Sequence, residues 1–226
     1  MLVHIASVLT PEQVAETVQT LSAAPWGDGR ETAGYLSTRV KDNAQLPEGH
    51  PVARKLGAMI LDSLGNNPKF IAAALPLKIV PPLFNRYSAG QTYGSHIDGA
   101  LRPVAGSPIK VRTDLSATLF LSDPASYDGG DLVIEDSFGE RRVKLAAGDM
   151  VLYPGTSIHH VTPVTRGERV ASFFWIQSAV RDDAQRSLLF ELDDVVRTLG
   201  GKEANHKEAV RLAGIYHNLV RFWADS

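Results

Sequence analysis

Hydrophobic and polar positions change texture twice along this chain of 226 residues. Apolar residues follow a helical period in the first part, form short β-favouring runs in the middle, and return to a helical period at the end. We therefore predict an N-terminal region of one strand and supporting helices at 1–78, a β core at 79–178, and a C-terminal helical extension at 179–226.

The N-terminal region carries clear start signals for helices. Leu2–Val8 predicts a short strand. Thr10 is then placed to cap a helix whose first residue is Pro11, and Gln13 is placed to complete a capping box. A second apolar stripe begins after Pro51 and predicts another helix. Neither helix carries a compact set of catalytic groups, so we expect both to pack against one face of the β core.

The middle region is a series of short apolar runs broken by proline, glycine and aspartate. The runs are LFNRY, LSATLFLS, DLVIED, RRVKL, DMVLYP, HHVTPV and RVASFFWIQ. Such spacing is typical of a sandwich or barrel, and Asp136–Glu140 between two runs predicts a hairpin. After residue 180, two further apolar stripes separated by Gly200 and Gly201 predict two C-terminal helices, which form either a small appended domain or a dimerisation element.

Composition narrows the function classes. With 44% hydrophobic and 21% charged residues, the chain can build one sizeable core. The formal net charge of -2 provides no basic field, so we expect no nucleic-acid partner. The absence of cysteine excludes disulfides, thiolate metal ligands and a cysteine nucleophile. We see no signal peptide and no apolar run of membrane-spanning length, so we expect no membrane partner and a cytoplasmic protein.

Two short motifs point to a metal centre. His96 and Asp98 are two residues apart, so on a strand their side chains would lie on one face and converge on one point. One further histidine would complete a set of two imidazoles and one carboxylate, which suits ferrous iron and leaves coordination positions open. His159 lies in a second β-rich stretch, and Arg169 follows it by ten positions.

Taken in order, these motifs resemble those of the iron(II)/2-oxoglutarate dioxygenases, specifically the bacterial PKHD-type hydroxylases related to prolyl and lysyl hydroxylases. The resemblance rests on FNRY, the His-x-Asp pair, RTDLSATLFLSDP, YDGGDL, LAAGDMVLYP and the run from His159 to Arg169. It covers most of the chain. It implies a mainly β protein with flanking helices, whose core is a double-stranded β-helix, or jelly roll.

The resemblance also implies roles for individual residues. His96, Asp98 and His159 would bind Fe(II), and Arg169 would bind the distal carboxylate of the co-substrate 2-oxoglutarate through its planar guanidinium. Tyr87 either assists Arg169 through its hydroxyl or fills the core as an aromatic plug. Dioxygen is the second co-substrate, and ascorbate is the implied reductant.

Two positions depart from the family pattern. Ala171 stands where relatives carry serine two residues beyond the arginine, and Phe120 stands where related prolyl hydroxylases often have tyrosine. Both changes remove a hydroxyl from the implied co-substrate pocket. Ser116, Thr118 or Tyr87 could supply a replacement donor.

The implied activity is hydroxylation of an unactivated C–H bond, coupled to decarboxylation of 2-oxoglutarate to succinate. The prime substrate is unknown, and the resemblance favours an amino-acid side chain in a peptide or in a peptide-like small molecule. The stretch Gly99–Asp114 is either a substrate lid or a plain connection. The alternative function is a non-enzymatic jelly-roll protein that binds metal or senses iron, which would not need Arg169. If the C-terminal helices are a dimerisation element, the protein would form a homo-oligomer through them.

Overall fold

The computed structural model describes residues 1–32, 34, 37–201 and 207–225. The helices are α1 Pro11–Ser22, α2 Pro51–Gly65, α3 Pro68–Ala74, α4 Asp183–Gly200 and α5 Lys207–Trp223. The strands are β1 Val3–Ile5, β2 Gly27–Asp28, β3 Lys41–Asp42, β4 Ala44–Gln45, β5 Pro76–Ile79, β6 Leu83–Tyr87, β7 Thr92–His96, β8 Leu101–Pro103, β9 Lys110–Arg112, β10 Leu115–Phe120, β11 Asp128–Gly129, β12 Leu132–Asp136, β13 Gly139–Val143, β14 Met150–Pro154, β15 His159–Val161, β16 Val164–Arg166 and β17 Arg169–Ser178.

Two antiparallel sheets form the jelly roll. The main sheet has the order β1-β14-β10-β17-β6-β4-β2, with β5 paired to β17. The small sheet has the order β13-β12-β15-β7-β3. Neighbours in each order are often distant in sequence, as expected when the chain crosses between two sheets. The predicted fold class, mainly β with flanking helices around a jelly-roll core, is confirmed.

The two faces of strand β10 have different surroundings: one packs in the hydrophobic core, and the other faces the cavity between the sheets. Successive side chains on a strand point to opposite faces. Leu115 and Leu119 therefore join a hydrophobic cluster with residues of the first three helices. Ser116 and Thr118 point the other way and line the cavity between the two sheets. One face of β10 thus packs in the hydrophobic core, whereas the other presents polar side chains to the interior of the jelly roll.

The predicted start of α1 is confirmed in detail. The Thr10 side chain accepts from the backbone N–H of Gln13, and the Gln13 side chain accepts from the backbone N–H of Thr10.

The predicted strand at Leu2–Val8 is shorter than expected, and the predicted hairpin is formed by β12 and β13. Helix α2 begins at Pro51, as predicted, after His50 caps it through its ring nitrogen.

Helix α3 was not predicted. Its capping residue Asn67 accepts a hydrogen bond from the Phe70 N–H, and Pro68 occupies its first position. These are ordinary start signals, but they directly follow Gly65 and Asn66 at the end of α2, where glycine and asparagine are equally typical of a helix stop. The helix ends at Ala74, and the next residue, Leu75, adopts a left-handed conformation with φ of 42°.

The two predicted C-terminal helices are confirmed, and α4 packs against both α3 and α5. The buried Arg186 donates to the carbonyl oxygens of Val180 and Arg181, which anchors α4 to the end of β17. The division into 1–78, 79–178 and 179–226 stays a prediction. Within the part of the chain that the structure describes, no helix combines the length and apolar character needed to cross a bilayer.

Candidate active site

Three side chains with metal-binding atoms converge between the sheets. His96 ends β7 and His159 begins β15, and the two residues are direct partners across these strands. Asp98 follows β7 by two residues. One ligand atom from each residue can be chosen so that all lie within 4.8 Å of one another. The arrangement leaves one side open to the cavity and therefore suits a metal ion that must also bind other molecules.

Neighbouring groups hold each of these side chains. The Nδ1 atom of His96 lies 2.8 Å from the Gly94 carbonyl oxygen, and Nδ1 of His159 lies 3.0 Å from the Ser157 carbonyl oxygen. If each Nδ1–H donates to its carbonyl, each Nε2 lone pair remains available to a metal. The aspartate Oδ2 lies 3.7 Å from His159 Nε2.

The surroundings favour neutral imidazole at His96. Burial, followed by the nearby His159, lowers the pKa of His96 to about 4. Tyr93 stacks on the His96 ring at a centroid distance of 3.6 Å. Neutral imidazole is the form that binds a metal, so this environment favours metal binding by His96.

Arg169 lies in the same cavity and is only 1% exposed. Its Nε and Nη1 atoms have no hydrogen-bond partner among the described residues. Its guanidinium carbon lies 5.4 Å from the centroid of Tyr87 and 5.3 Å from that of Phe120. A buried guanidinium with unused donors is costly unless an anion completes its contacts. The environment therefore fits a bound carboxylate.

Tyr87 is the direct partner of Arg169 across β6 and β17 and is 1% exposed. Burial raises the pKa of Tyr87 well above its usual range, so its hydroxyl keeps its proton and can donate. Both roles predicted for this tyrosine, a donor beside Arg169 and an aromatic plug, are compatible with this position.

The two departures from the family pattern lie beside Arg169. Ala171 is fully buried and pairs with Phe120 across β17 and β10. Of the alternative donors, Ser116 is already engaged because its hydroxyl donates to Asp98 Oδ2 at 2.6 Å. Thr118 interacts with the buried hydroxyl of Tyr153. The Tyr87 hydroxyl interacts in the same way with the Asn43 side chain, so Thr118 and Tyr87 both remain candidate donors.

Sequence reasoning missed several residues that line the cavity, whose volume is about 600 Å³. Tyr153 is buried, and its ring meets His159 edge-on at a centroid distance of 5.2 Å. Lys41 and Trp175 also line the cavity. Tyr153 belongs to the LAAGDMVLYP stretch but had no assigned role there, and Lys41 and Trp175 carry no functional motif, because β14, β3 and β17 come together only in the folded protein. The other histidines, His4, His50, His206 and His217, are expected at loops or helix surfaces; His206 lies outside the described residues, and the other three do not line this cavity.

The chain is similar to known proteins over its full length. Residues 82–177 match the 2OG-Fe(II) oxygenase superfamily, and residues 183–225 match the PKHD-type hydroxylase C-terminal domain. A PKHD-type hydroxylase of Methylobacillus flagellatus is 59% identical over the full length of both chains, and one of Bordetella pertussis is 57% identical, also over both full lengths. Among solved structures, a Pseudomonas putida prolyl-4-hydroxylase superposes with a TM-score of 0.54 at 20% identity, covering 78% of this chain and 92% of that chain.

Proposed function

Since the chain belongs to the PKHD-type hydroxylases and is a 2-oxoglutarate-dependent dioxygenase, we propose that His96, Asp98 and His159 bind its iron and that Arg169 binds 2-oxoglutarate. One observation carries the proposal: the unpartnered donors of a buried arginine lie in the same cavity as the three metal-binding side chains. The alternative of a non-enzymatic metal-binding protein is set aside by the family.

Bound Fe(II) and 2-oxoglutarate supply the oxidative chemistry, in which the co-substrate becomes succinate and a substrate C–H bond is hydroxylated. The chain's own residues orient the participants. The guanidinium of Arg169 holds the distal carboxylate, so the keto acid end is directed toward the three metal ligands. The burial of Arg169 reduces the competition of water for its contact with the carboxylate.

We propose an amino-acid side chain, in a peptide or a peptide-like small molecule, as the site of hydroxylation. The proposal is supported by the structural similarity to a prolyl-4-hydroxylase and by the cavity of about 600 Å³, which has room for a second molecule beside the co-substrate. The stretch Gly99–Asp114, predicted to be a lid or a connection, contains the hairpin of β8 and β9. Arg102 of this hairpin lines the cavity, whereas Arg112 pairs with Asp114.

Three further proposals accompany this function. Ascorbate would serve as reductant, as the family resemblance implies. A homo-oligomer would form through α4 and α5, whose exposed apolar residues include Leu188, Val210 and Phe222. A cytoplasmic location is compatible with a chain that contains no cysteine.

Turnover with defined metals tests the central proposal. The metal-free protein is reconstituted anaerobically with Fe(II) or with Zn(II), and succinate is measured after air and 2-oxoglutarate are added. We expect slow succinate formation with Fe(II) even without a prime substrate, and none with Zn(II). Turnover with zinc, or turnover that does not need 2-oxoglutarate, would contradict the proposal.

A further inference from the structure

A second buried cation lines the cavity. Lys41 lies on β3, is 6% exposed, and is the direct partner of Tyr93 across β3 and β7. Its ammonium donates to Thr32 Oγ1 at 3.2 Å and to Gln45 Oε1 at 3.0 Å. An ammonium has three N–H donors, and both of these acceptors are neutral. Among the described residues, one donor of this buried charge is therefore left over beside the cavity.

The charges around Lys41 do not compensate it. Among the described residues, no carboxylate oxygen lies within the 4.0 Å of an ion pair with its Nζ. The acidic side chains that influence it most are Asp98, Asp28 and Glu48. Asp28 pairs with an adjacent arginine and Glu48 with Arg102, while Asp98 belongs to the metal site. The nearby positive charge of Arg102 further disfavours the protonated lysine.

Binding of 2-oxoglutarate would not neutralise the positive charge of Lys41. Fe(II) and Arg169 together carry as many positive charges as Asp98 and 2-oxoglutarate carry negative ones, so the loaded iron centre is neutral. Lys41 also lies apart from Arg169. It is close to Phe173, which is four residues along β17 from Arg169, or roughly 13 Å of strand. A distal carboxylate held by Arg169 is therefore separated from the lysine along β17.

The wall around Lys41 is aromatic. Its Nζ lies 5.2 Å from the ring centroid of Tyr93 and 6.0 Å from that of Phe173. Phe173 meets Trp175 edge-on at 5.7 Å, and both residues point into the cavity from the same face of β17 as Arg169. These rings form an apolar surface next to a positive charge that contacts the faces of Tyr93 and Phe173 but has no carboxylate partner among the described residues.

We propose that Lys41 binds a carboxylate of the prime substrate, whose hydrocarbon portion packs against Tyr93, Phe173 and Trp175. This inference rests on the proposed function, because it assigns the substrate class of the same cavity. A carboxylate would accept the free N–H of Lys41 and supply the missing negative charge. The substrate therefore combines an anionic group with an apolar body.

Binding of three probes matched in shape tests the inference. The wild-type protein is loaded anaerobically with Fe(II) and saturating 2-oxoglutarate, which occupies the Arg169 site. Dissociation constants are then measured by calorimetry for 3-phenylpropionate, its amide and 3-phenylpropylamine. We expect the carboxylate to bind about 10- to 100-fold more tightly than the amide, as for a charged hydrogen bond. The amine should bind most weakly.

Variants assign the preference to one residue. In Lys41→Met, the carboxylate and the amide should bind with nearly equal affinity. Lys41→Arg should keep most of the preference for the carboxylate. The control Lys78→Met removes an exposed lysine from β5 and should leave the preference unchanged. Unaltered 2-oxoglutarate binding in each variant shows that the fold and the iron site are intact.

Several results would overturn the inference. These are equal binding of carboxylate and amide to the wild type, no measurable binding of 3-phenylpropionate, and a preference that survives in Lys41→Met. A selective loss of 2-oxoglutarate affinity in Lys41→Met would instead make the lysine a co-substrate residue. Failure of the proposed function is distinguishable, because it appears as absent 2-oxoglutarate binding and turnover in the wild type before any probe is added.

Two peptide pairs distinguish the sources of the carboxylate. N-acetylphenylalanine and its amide differ in a terminal carboxylate, whereas N-acetyl-Glu-Phe-amide and N-acetyl-Gln-Phe-amide differ in a side-chain carboxylate. The pair with the larger difference in affinity identifies the source, provided that the difference disappears in Lys41→Met. No charge preference in either pair would contradict a peptide substrate held by Lys41.

Discussion

The hydroxyl of Ser116 donates a hydrogen bond of 2.6 Å to Oδ2 of Asp98. Ser116 belongs to β10 of the main sheet, whereas Asp98 follows β7 of the small sheet. This bond therefore joins the two sheets at the proposed iron site and orients the carboxylate toward the histidines. Hydrogen bonds of this kind determine how well a ligand is presented to its metal.

Ser116→Ala should weaken Fe(II) binding by about 10- to 100-fold, because Asp98 loses the donor that orients it. Anaerobic metal titration measures the change. Ser172→Ala is a matched control, since Ser172 is also buried in the main sheet but donates to the Leu83 carbonyl oxygen on the other face. Equal iron affinities in the two variants would show that the Ser116 hydroxyl does not position the ligand.

Arg169→Ala should bind iron normally but lose affinity for 2-oxoglutarate. Removing the charged partner of a buried carboxylate costs on the order of 2–5 kcal/mol, and Arg169→Lys should recover only part because a lysine cannot bind bidentately. The dissociation constant of 2-oxoglutarate, measured anaerobically on the iron-loaded protein, checks this. Arg166→Ala, which removes an exposed arginine paired with Asp128, is the control. An unchanged constant in Arg169→Ala would mean that another residue binds the co-substrate.

Tyr87→Phe separates the two roles predicted for this tyrosine. If its hydroxyl donates to the distal carboxylate, the variant should bind 2-oxoglutarate roughly 2- to 10-fold more weakly, as for one hydrogen bond. Its thermal stability should be nearly unchanged, because the buried ring remains. The dissociation constant of 2-oxoglutarate, measured anaerobically on the iron-loaded variant, distinguishes the two roles. Wild-type affinity in Tyr87→Phe would leave only the aromatic plug.

Parts of the fold and of the candidate site were predictable where their residues carry local signals or belong to a recognised motif. The capping box at Thr10 and the pair His96 and Asp98 are of this kind, because each depends on residues within three positions. Lys41 had no such signal. It lies on a strand of two residues, and it reaches the cavity only because β3 pairs with β7, more than fifty positions later. Tertiary pairing of this kind leaves no periodicity in the sequence.

Lys41 should also leave a signature in the pH dependence of stability. Burial, followed by the charge of Arg102, lowers the pKa of Lys41 from about 10.5 to about 8. Between pH values of about 8 and about 10.5, the Lys41 amine is protonated in the unfolded chain but has lost its proton in the folded protein. The free energy of unfolding should therefore rise with pH across this window and lose this contribution below about pH 8.

Lys41→Met cannot titrate, so its stability relative to the wild type should be greatest below about pH 8. That difference should shrink by roughly 1–3 kcal/mol as the pH rises to about 10. Urea denaturation of both proteins without ligand, at a series of pH values, measures it. Lys78→Met should parallel the wild type. Parallel curves for Lys41→Met would show that the lysine is no harder to protonate in the folded protein than in the unfolded chain.

The most direct test of the account is the fate of dioxygen at the proposed iron site. Under ¹⁸O₂, Fe(II)-loaded wild-type protein should convert 2-oxoglutarate to succinate that carries one ¹⁸O atom, measured by mass spectrometry. His159→Ala should form no labelled succinate, while His160→Ala should form it, because neighbouring side chains on β15 point to opposite faces. Labelled succinate from His159→Ala, or unlabelled succinate from the wild type, would contradict the assignment of this site.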